Sequence, residues 1–328
     1  MKKALVTGAT GFVGSRLCQE LLENGFSVRA MVRKQSKRSS LSNLQVEIIE
    51  AELTNPESLK KAVEGVDVVF HIAALYREAK FPDSVYWQVN LDGTKSLLEA
   101  AKSAGVEKFI YCSTIGVHSH INNPPADESE PYAPTDVYQE TKVAAEKYVL
   151  EKFRANYIKG CVIRPAMIWG PKDTRFLKFF KGIYKRNFPM FGSGDNLCHW
   201  ILVDDLVRAF RLAAEKESSH AQTYIIAGQR PVTLKYTMQK IAETYKVKLL
   251  PISIPVLPVQ LLGSLVEFIC KPFKIEPPIH RRRADFFIKN RAFSTKKALS
   301  ELGFVAAHTF EEEVRLVAQW YLESGWFL

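Results

Sequence analysis

The sequence predicts an α/β protein with a doubly wound parallel sheet and a smaller C-terminal substrate-binding unit. Three observations predict it. Short apolar runs alternate with segments of helical spacing through the first half of the chain. Connections of helical length make crossovers, which give parallel neighbours with helices on both faces. A glycine-rich turn, Gly8, Gly11 and Gly14, falls directly between the first strand and the first helix.

Each element has its own signal. Lys3 to Thr7 is an apolar strand that runs into the glycines. Phe12 to Glu23 has helical spacing, and Asn24-Gly25 ends it as a cap. Ser27 to Val32 is the second strand and Val46 to Ile49 the third. Asn55-Pro56 opens a helix, with proline at a tolerated first-turn position. Val66 to His71 is the fourth strand, followed by a long helix over Asp83 to Ala104 that ends by Gly105. Lys108 to Cys112 is the fifth strand, and Asp136 to Phe153 is helical. Gly160 to Arg164 is a strand, Trp200 to Val203 runs into a helix capped by Asp204, and Gln222 to Ala227 is another strand.

The character changes after residue 228. Pro251 to Pro278 is proline-rich and apolar, and Phe310 to Trp326 is an amphipathic helix with Val314, Leu316, Val317, Trp320 and Tyr321 as its apolar positions. Residues 1–165 and 200–228 are therefore read as the sheet domain. Residues 166–199 and 229–328 are read as a unit that closes over the carboxyl ends of the strands, where open parallel sheets bind ligands.

Composition narrows the partners. A chain that is 47% hydrophobic and 24% charged is ordinary globular protein, not a disordered one. The net charge of +10 is largely local, in Arg29, Arg33, Lys34, Lys37 and Arg38 and in Arg281, Arg282 and Arg283. With no nucleic-acid motif present, these read as solvated faces, and no nucleic-acid partner is expected. Cys18, Cys112, Cys161, Cys198 and Cys270 have no zinc spacing and are odd in number, so they read as reduced cysteines of a cytoplasmic protein with no metal site. After Met1-Lys2-Lys3 the apolar run Ala4 to Val6 is too short for a secretion signal. Pro251, Pro255 and Pro258 break the apolar segment Leu249 to Cys270. The roughly dozen residues left fall short of the about 20 that span a bilayer, so a buried or lid helix is favoured over one lying on a membrane surface.

The glycine turn carries a dinucleotide-binding reading. Gly8 permits the tight turn, Gly11 lets the backbone approach a pyrophosphate, and Gly14 lets the helix pack on the sheet. The helix amino end offers N–H groups and partial positive charge to the phosphates. The second strand ends Ala30-Met31-Val32-Arg33 with no acid in reach. An acid there would bond the ribose of NAD, whereas Arg33 can take the 2′-phosphate of NADP, so NADP(H) is favoured over NAD(H).

The chemical site begins with Tyr138-Gln139-Glu140-Thr141-Lys142, at the start of a helix. Positions four apart share a face, so Tyr138 and Lys142 point the same way. Tyrosine titrates near about pH 10, and a neighbouring ammonium favours its phenolate. Ser113-Thr114 follows the fifth strand at the same sheet edge, where a hydroxyl can bond a substrate oxygen or simply cap a turn.

Taken together, these residues resemble the extended short-chain dehydrogenase/reductase family, of the NAD-dependent epimerase/dehydratase type. The matching pieces are Thr7-Gly8-Ala9-Thr10-Gly11-Phe12-Val13-Gly14, Ser113-Thr114, and Tyr138 with Lys142. Further matches are Glu52 in Ala-Glu-Leu-Thr, His71-Ile72-Ala73-Ala74, Asn90 with Asp92-Gly93-Thr94, Arg164-Pro165, Gly170-Pro171 and Val203-Asp204-Asp205. The resemblance implies a Rossmann-type fold. It also implies cofactor contacts from Gly8, Thr10, Gly11, Phe12, Val13, Gly14, Arg33, Glu52, Leu53, His71, Ala73, Ala74, Asn90, Pro165 and Ile168, joined by Tyr138 and Lys142. Thr114 rather than Ser113 would be the active hydroxyl, Tyr138 the proton donor or acceptor, and Lys142 the group that holds the ribose and tunes Tyr138. Relatives pair through the helices Asp83–Ala104 and Asp136–Phe153, so a homodimer is implied.

The reaction is narrower than the family. Ile115-Gly116 after Thr114 lacks the acidic pair of the family's dehydratases, and Arg33 opposes the acid usual in its sugar-nucleotide epimerases. His199-Trp200-Ile201-Leu202 also departs from the family's aromatic-histidine pattern. What remains resembles the dihydroflavonol reductase-like and 3β-hydroxysteroid dehydrogenase-like members. That implies an oxidoreductase interconverting a carbonyl and a secondary alcohol on a small, hydrophobic substrate. Tyr76, Trp87, Trp169 and Phe191 are candidate pocket aromatics, against a plain core reading. Two other classes stay open, an NAD-dependent nucleotide-sugar epimerase and a non-catalytic nicotinamide-binding sensor.

Overall fold

The computed structural model describes residues 1–76, 81–258 and 281–327. In chain order the first elements are β1 (Lys3–Thr7), α1 (Phe12–Glu23), β2 (Ser27–Val32), β3 (Glu47–Glu50), α2 (Pro56–Val63) and β4 (Val68–His71). There follow α3 (Asp83–Tyr86), α4 (Gly93–Ser103), β5 (Lys108–Cys112), α5 (Val137–Arg154) and β6 (Lys159–Pro165). A wider, π-type stretch, Trp87–Asp92, joins α3 to α4, so the single long helix of the sequence reading is one helix with a loosened turn. Beyond it come β7 (Met167–Trp169), α6 (Leu177–Tyr184), β8 (Met190–Phe191), β9 (Leu197–Cys198), β10 (Trp200–Leu202), α7 (Val203–Glu215) and β11 (Thr223–Ile226). The last are β12 (Val232–Thr233), α8 (Leu234–Thr244), β13 (Ser253–Ile254), α9 (Arg281–Ile288) and α10 (Phe310–Glu323).

Seven strands form the main sheet in the order β11-β6-β5-β4-β1-β2-β3, all parallel. The order reverses between β1 and β4, and register sets Thr7 opposite His71 there. A crevice opens at such a reversal, beyond the carboxyl ends of the strands. Both faces are covered, so each strand is apolar on both sides. Ala4 and Val6 face a core with Leu17, Leu21, Leu206 and Phe210, and Leu5 faces another with Leu59, Leu97, Val149 and Phe153.

A third core builds the second unit, where Trp169 stacks on Trp200 at 4.2 Å. The sequence boundaries are crossed in both directions. Trp200 and Leu202 join this third core, while Phe293, Leu302 and Phe304 pack into the first.

One expected cap is corrected. The N-cap of α7 is Leu202, not Asp204. Asp204 sits inside the first turn, where its charge favours the helix amino end and pairs with Arg16. Asp205 accepts from the Ala307 N–H at 2.9 Å. Cys18, Cys161 and Cys198 are buried, Cys112 is half-buried, and all four are free thiols. Cys270 and the segment from residue 259 to it lie outside the described residues. Among those described, no helix is long and apolar enough to cross a membrane.

Candidate active site

The glycine turn is enforced by sterics. Gly8 has φ +68°, and a Cβ there would stand 3.0 Å from the Ala73 backbone. A Cβ on Gly14 would fall 2.1 Å from the Gly8 carbonyl oxygen. The amino end of α1 has no side-chain cap and no acid in its first turn. Its N–H groups and partial positive charge are therefore left for an anion. The cradle fits a dinucleotide pyrophosphate, with Thr10, Gly11, Phe12 and Val13 along it.

A buried chain of polar groups runs from this turn to α5, the helix that carries Tyr138 and Lys142. Thr7 Oγ1 accepts from the N–H groups of Ile72 and Ala73 at 3.1 and 3.0 Å. Its own proton therefore goes to His71 Nδ1, at 2.9 Å. Nε2–H of His71 then donates to Thr94 Oγ1 at 2.9 Å, and Thr94 donates to the Asn90 carbonyl at 2.6 Å. These partners assign the tautomer. Burial, with a smaller contribution from the Lys142 charge, pushes the His71 imidazolium down to about 3, so the ring is neutral. The Asn90 side chain continues the chain, donating to the Leu75 carbonyl and to Thr141 Oγ1 at 3.1 and 3.0 Å. Thr141 closes it on the Tyr138 carbonyl at 2.8 Å. His71 and Asn90 thus spend their side chains inside the protein.

Helix α5 begins at an Asp136 cap that accepts from the Gln139 N–H at 2.8 Å. Within the first turn, Tyr138 is nearly buried, with the Tyr76 ring edge-on at 4.9 Å. One turn further, Lys142 Nζ donates to the Cys112 carbonyl at 2.6 Å, at the end of β5. It also lies 4.2 Å from the Tyr111 ring centroid. Burial pushes the Lys142 ammonium down to about 8.

The two hydroxyls after β5 separate by partner. Ser113 donates to the carboxylate of Glu146, which is fully buried and paired with Arg164 at 2.6 Å. Thr114 Oγ1 accepts from the Gly116 N–H at 3.0 Å, capping the turn Ile115–His118, and is partly exposed. As an acceptor in that bond it keeps its proton to donate. Sequence alone had no signal for Glu146, which reads as an exposed helical carboxylate.

The remaining predicted residues take these places. Arg33 is exposed after β2, and among the described residues no carboxylate pairs with it. Ser40 reaches over from the next turn to bond the Thr10 carbonyl at 3.2 Å. Glu52 and Leu53 follow β3, with Leu53 packed against Gly93 of α4. Pro165 ends β6, and the Ile168 carbonyl is bonded by Arg175 at 2.8 Å. Of the candidate aromatics, Tyr76 stands beside Tyr138. Trp169 is core, its indole N–H donating to Glu313 at 2.6 Å, and Trp87, in the π-type stretch, is exposed. Phe191 packs on Phe287 at 4.6 Å. His199, which breaks the expected pattern, accepts from the Phe293 N–H and donates to the Gly228 carbonyl, so it is structural.

Comparison with known proteins gives consistent relatives. Residues 4–227 match the NAD dependent epimerase/dehydratase family. The chain is 30% identical to a 3-beta-hydroxysteroid dehydrogenase of Mycolicibacterium neoaurum, across 98% of this chain and 92% of that one. It is 29% identical to the decarboxylating sterol-4-alpha-carboxylate 3-dehydrogenase of Mus musculus, across 97% and 90%. The solved dTDP-glucose 4,6-dehydratase of Streptomyces venezuelae, with NAD bound, matches at TM-score 0.79 and 20% identity, covering 99% of this chain and 98% of that one. At that identity it bears on the fold alone.

Proposed function

The chain belongs to the NAD dependent epimerase/dehydratase family, the extended short-chain dehydrogenases/reductases, and on that premise we propose an NADP(H)-dependent oxidoreductase that interconverts a ketone and a secondary alcohol on a largely apolar substrate. The observation that carries the reading is the Tyr138–Lys142 pair on α5, its ammonium anchored to the Cys112 carbonyl at 2.6 Å, at the same carboxyl edge of the parallel sheet as the open amino end of α1. Sterol and hydroxysteroid relatives support an apolar substrate.

Nicotinamide, when bound, supplies or takes up the hydride. Tyr138 gives its phenolic proton to the carbonyl oxygen in reduction and takes it back in oxidation. Lys142 carries charge below about pH 8, and that charge steadies the phenolate as the proton leaves. Thr114 donates its hydroxyl proton to the same substrate oxygen and holds it toward Tyr138. Tyr76, edge-on to Tyr138, helps keep water from the proton being transferred. Arg33, exposed and unpaired by any described carboxylate, favours the 2′-phosphate of NADP over the bare ribose of NAD.

The test is a panel of apolar ketones and secondary alcohols with each dinucleotide. NADPH oxidation dependent on ketone supports the reading. Permanently held NAD without net turnover would make the protein an epimerase, and NADPH binding without turnover would make it a sensor. Arg33→Asp is expected to lower the NADPH-over-NADH preference by at least tenfold; an unchanged ratio removes Arg33 from phosphate recognition.

A further inference from the structure

We propose that Arg175 is a specificity-determining residue that receives a carboxylate carried by the substrate, so that the substrate is an apolar hydroxy or oxo acid rather than a neutral alcohol or ketone. This rests on the oxidoreductase reading above and deepens it.

The placement of Arg175 is unusual for a charged residue just before a helix. Asp173 grips one edge of its guanidinium through two bonds, from Nε at 2.9 Å and from Nη2 at 2.8 Å. The Ile168 carbonyl takes the other N–H of Nη2 at 2.8 Å. The guanidinium carbon lies 5.3 Å from the ring centroid of Phe12, the first residue of α1. Burial opposes its charge, Asp173 supports it more than any other group, and Tyr76 and then Tyr138 add to that support. The group therefore stands between the amino end of α1 and the strand-end residue Ile168.

Asp173 is the orienting partner. Its side chain is 1% exposed while that of Arg175 is 40% exposed. The Asp173 backbone carbonyl is in turn bonded by the Tyr321 hydroxyl from α10. A guanidinium has five N–H donors in a fixed plane. With Nε and Nη2 spent, both N–H groups of Nη1 remain, and among the described residues nothing accepts from them. A cation held in direction, set over an aromatic ring and with both N–H groups of one nitrogen unspent offers charge-assisted donors to a carboxylate oxygen. A neutral apolar substrate offers those N–H groups no acceptor, whereas a carboxylate does.

The test pairs charge with chemistry. Aliphatic hydroxy acids of twelve carbons, with the hydroxyl two, three or four carbons from the carboxyl carbon, are compared with their methyl esters in NADP⁺ reduction. Wild type is expected to prefer at least one acid over its ester by tenfold or more in kcat/KM. Arg175→Gln is expected to bring that ratio to near one, and Arg175→Lys to restore only part of it. Dodecanoate and methyl dodecanoate binding to the NADP⁺-loaded enzyme, by calorimetry, reads the same preference without turnover. Equal treatment of acids and esters in both measurements, or a preference that survives Arg175→Gln, overturns the assignment. An equal loss of NADPH affinity in Arg175→Gln also overturns it, placing the group on the cofactor instead. Esters and acids that all fail to turn over, with dodecanoate still favoured by Arg175 in binding, would sink the oxidoreductase reading while leaving the carboxylate site standing.

Discussion

At the scale of single residues, the site depends on two groups one helical turn apart. Tyr138→Phe removes only an oxygen from a nearly buried ring. Turnover is expected to fall by roughly 10²–10⁴, the usual range for general acid catalysis, with the dissociation constant for NADPH changed by less than about threefold in a fluorescence titration. Wild-type-like rates would reject the role. Lys142 gives the pH dependence. Burial holds its ammonium at about 8, below the ordinary lysine value, so the charge is present below that pH and lost above it. Ketone reduction, which needs that charge and a protonated phenol, should decline through pH 8. Lys142→Arg, whose charge persists, should abolish this limb even where the absolute rate drops. Tyr138, Lys142 and the glycines could be found in sequence because their spacing is local. Glu146 and Arg175 could not, because their roles arise from partners distant in sequence, Ser113 and Arg164 for the one and Phe12 for the other.

At the scale of elements, the strand-turn-helix unit has little tolerance. A methyl on Gly14 would strike the backbone of Gly8 and Ala9, at 2.1 to 2.9 Å. Backbone cannot swing aside as a side chain can, so β1 and α1 would have to separate. Gly14→Ala is expected to weaken NADPH binding at least tenfold and to cost about 1–3 kcal/mol of stability, read by titration and denaturant unfolding. Unaltered binding would show that the close packing is not needed. Strands and helices were legible here because the apolar periods are clean and the crossovers short. The exposed edge strand β3 was displaced by one residue in the sequence reading, since its residues bury little and carry a weak pattern. The cap of α7 was misread because two consecutive aspartates look like cap residues. A signal that went unused is Thr309 with Glu312, the reciprocal capping box that starts α10.

At the scale of the whole molecule, a buried acid ties two distant segments of the second unit together, α10 to β7. Glu313 of α10 accepts from the Trp169 indole, and its other oxygen lies buried with no partner among the described residues. Burial pushes this carboxyl up to about 8, against an ordinary value of 4.5. The folded protein therefore holds the proton more tightly than the unfolded chain does. Stability is greatest below pH 4.5 as far as this group is concerned, and falls as pH rises from there to about 8, with a limiting slope of about 1.4 kcal/mol per pH unit. Glu313→Gln keeps an oxygen for the indole and should flatten this slope, raising the Tm at pH 8 by several degrees and changing it little at pH 5. Equal shifts at both pH values would contradict the protonated form. The partition into two units was visible in sequence only as a change of composition. Interleaving of 200–202 and 292–306 across it needs contacts that no local pattern encodes.

The Thr7 hydroxyl has a wider consequence. One oxygen fastens two strand ends across the reversal point and begins a relay that reaches the backbone of the proton donor. The floor of the nucleotide groove and the footing of the reacting phenol are thus cut from one rigid piece. An arriving dinucleotide meets a mould already set, so its binding should order little of the protein beneath it, and the precision of the chemistry is fixed when the chain folds.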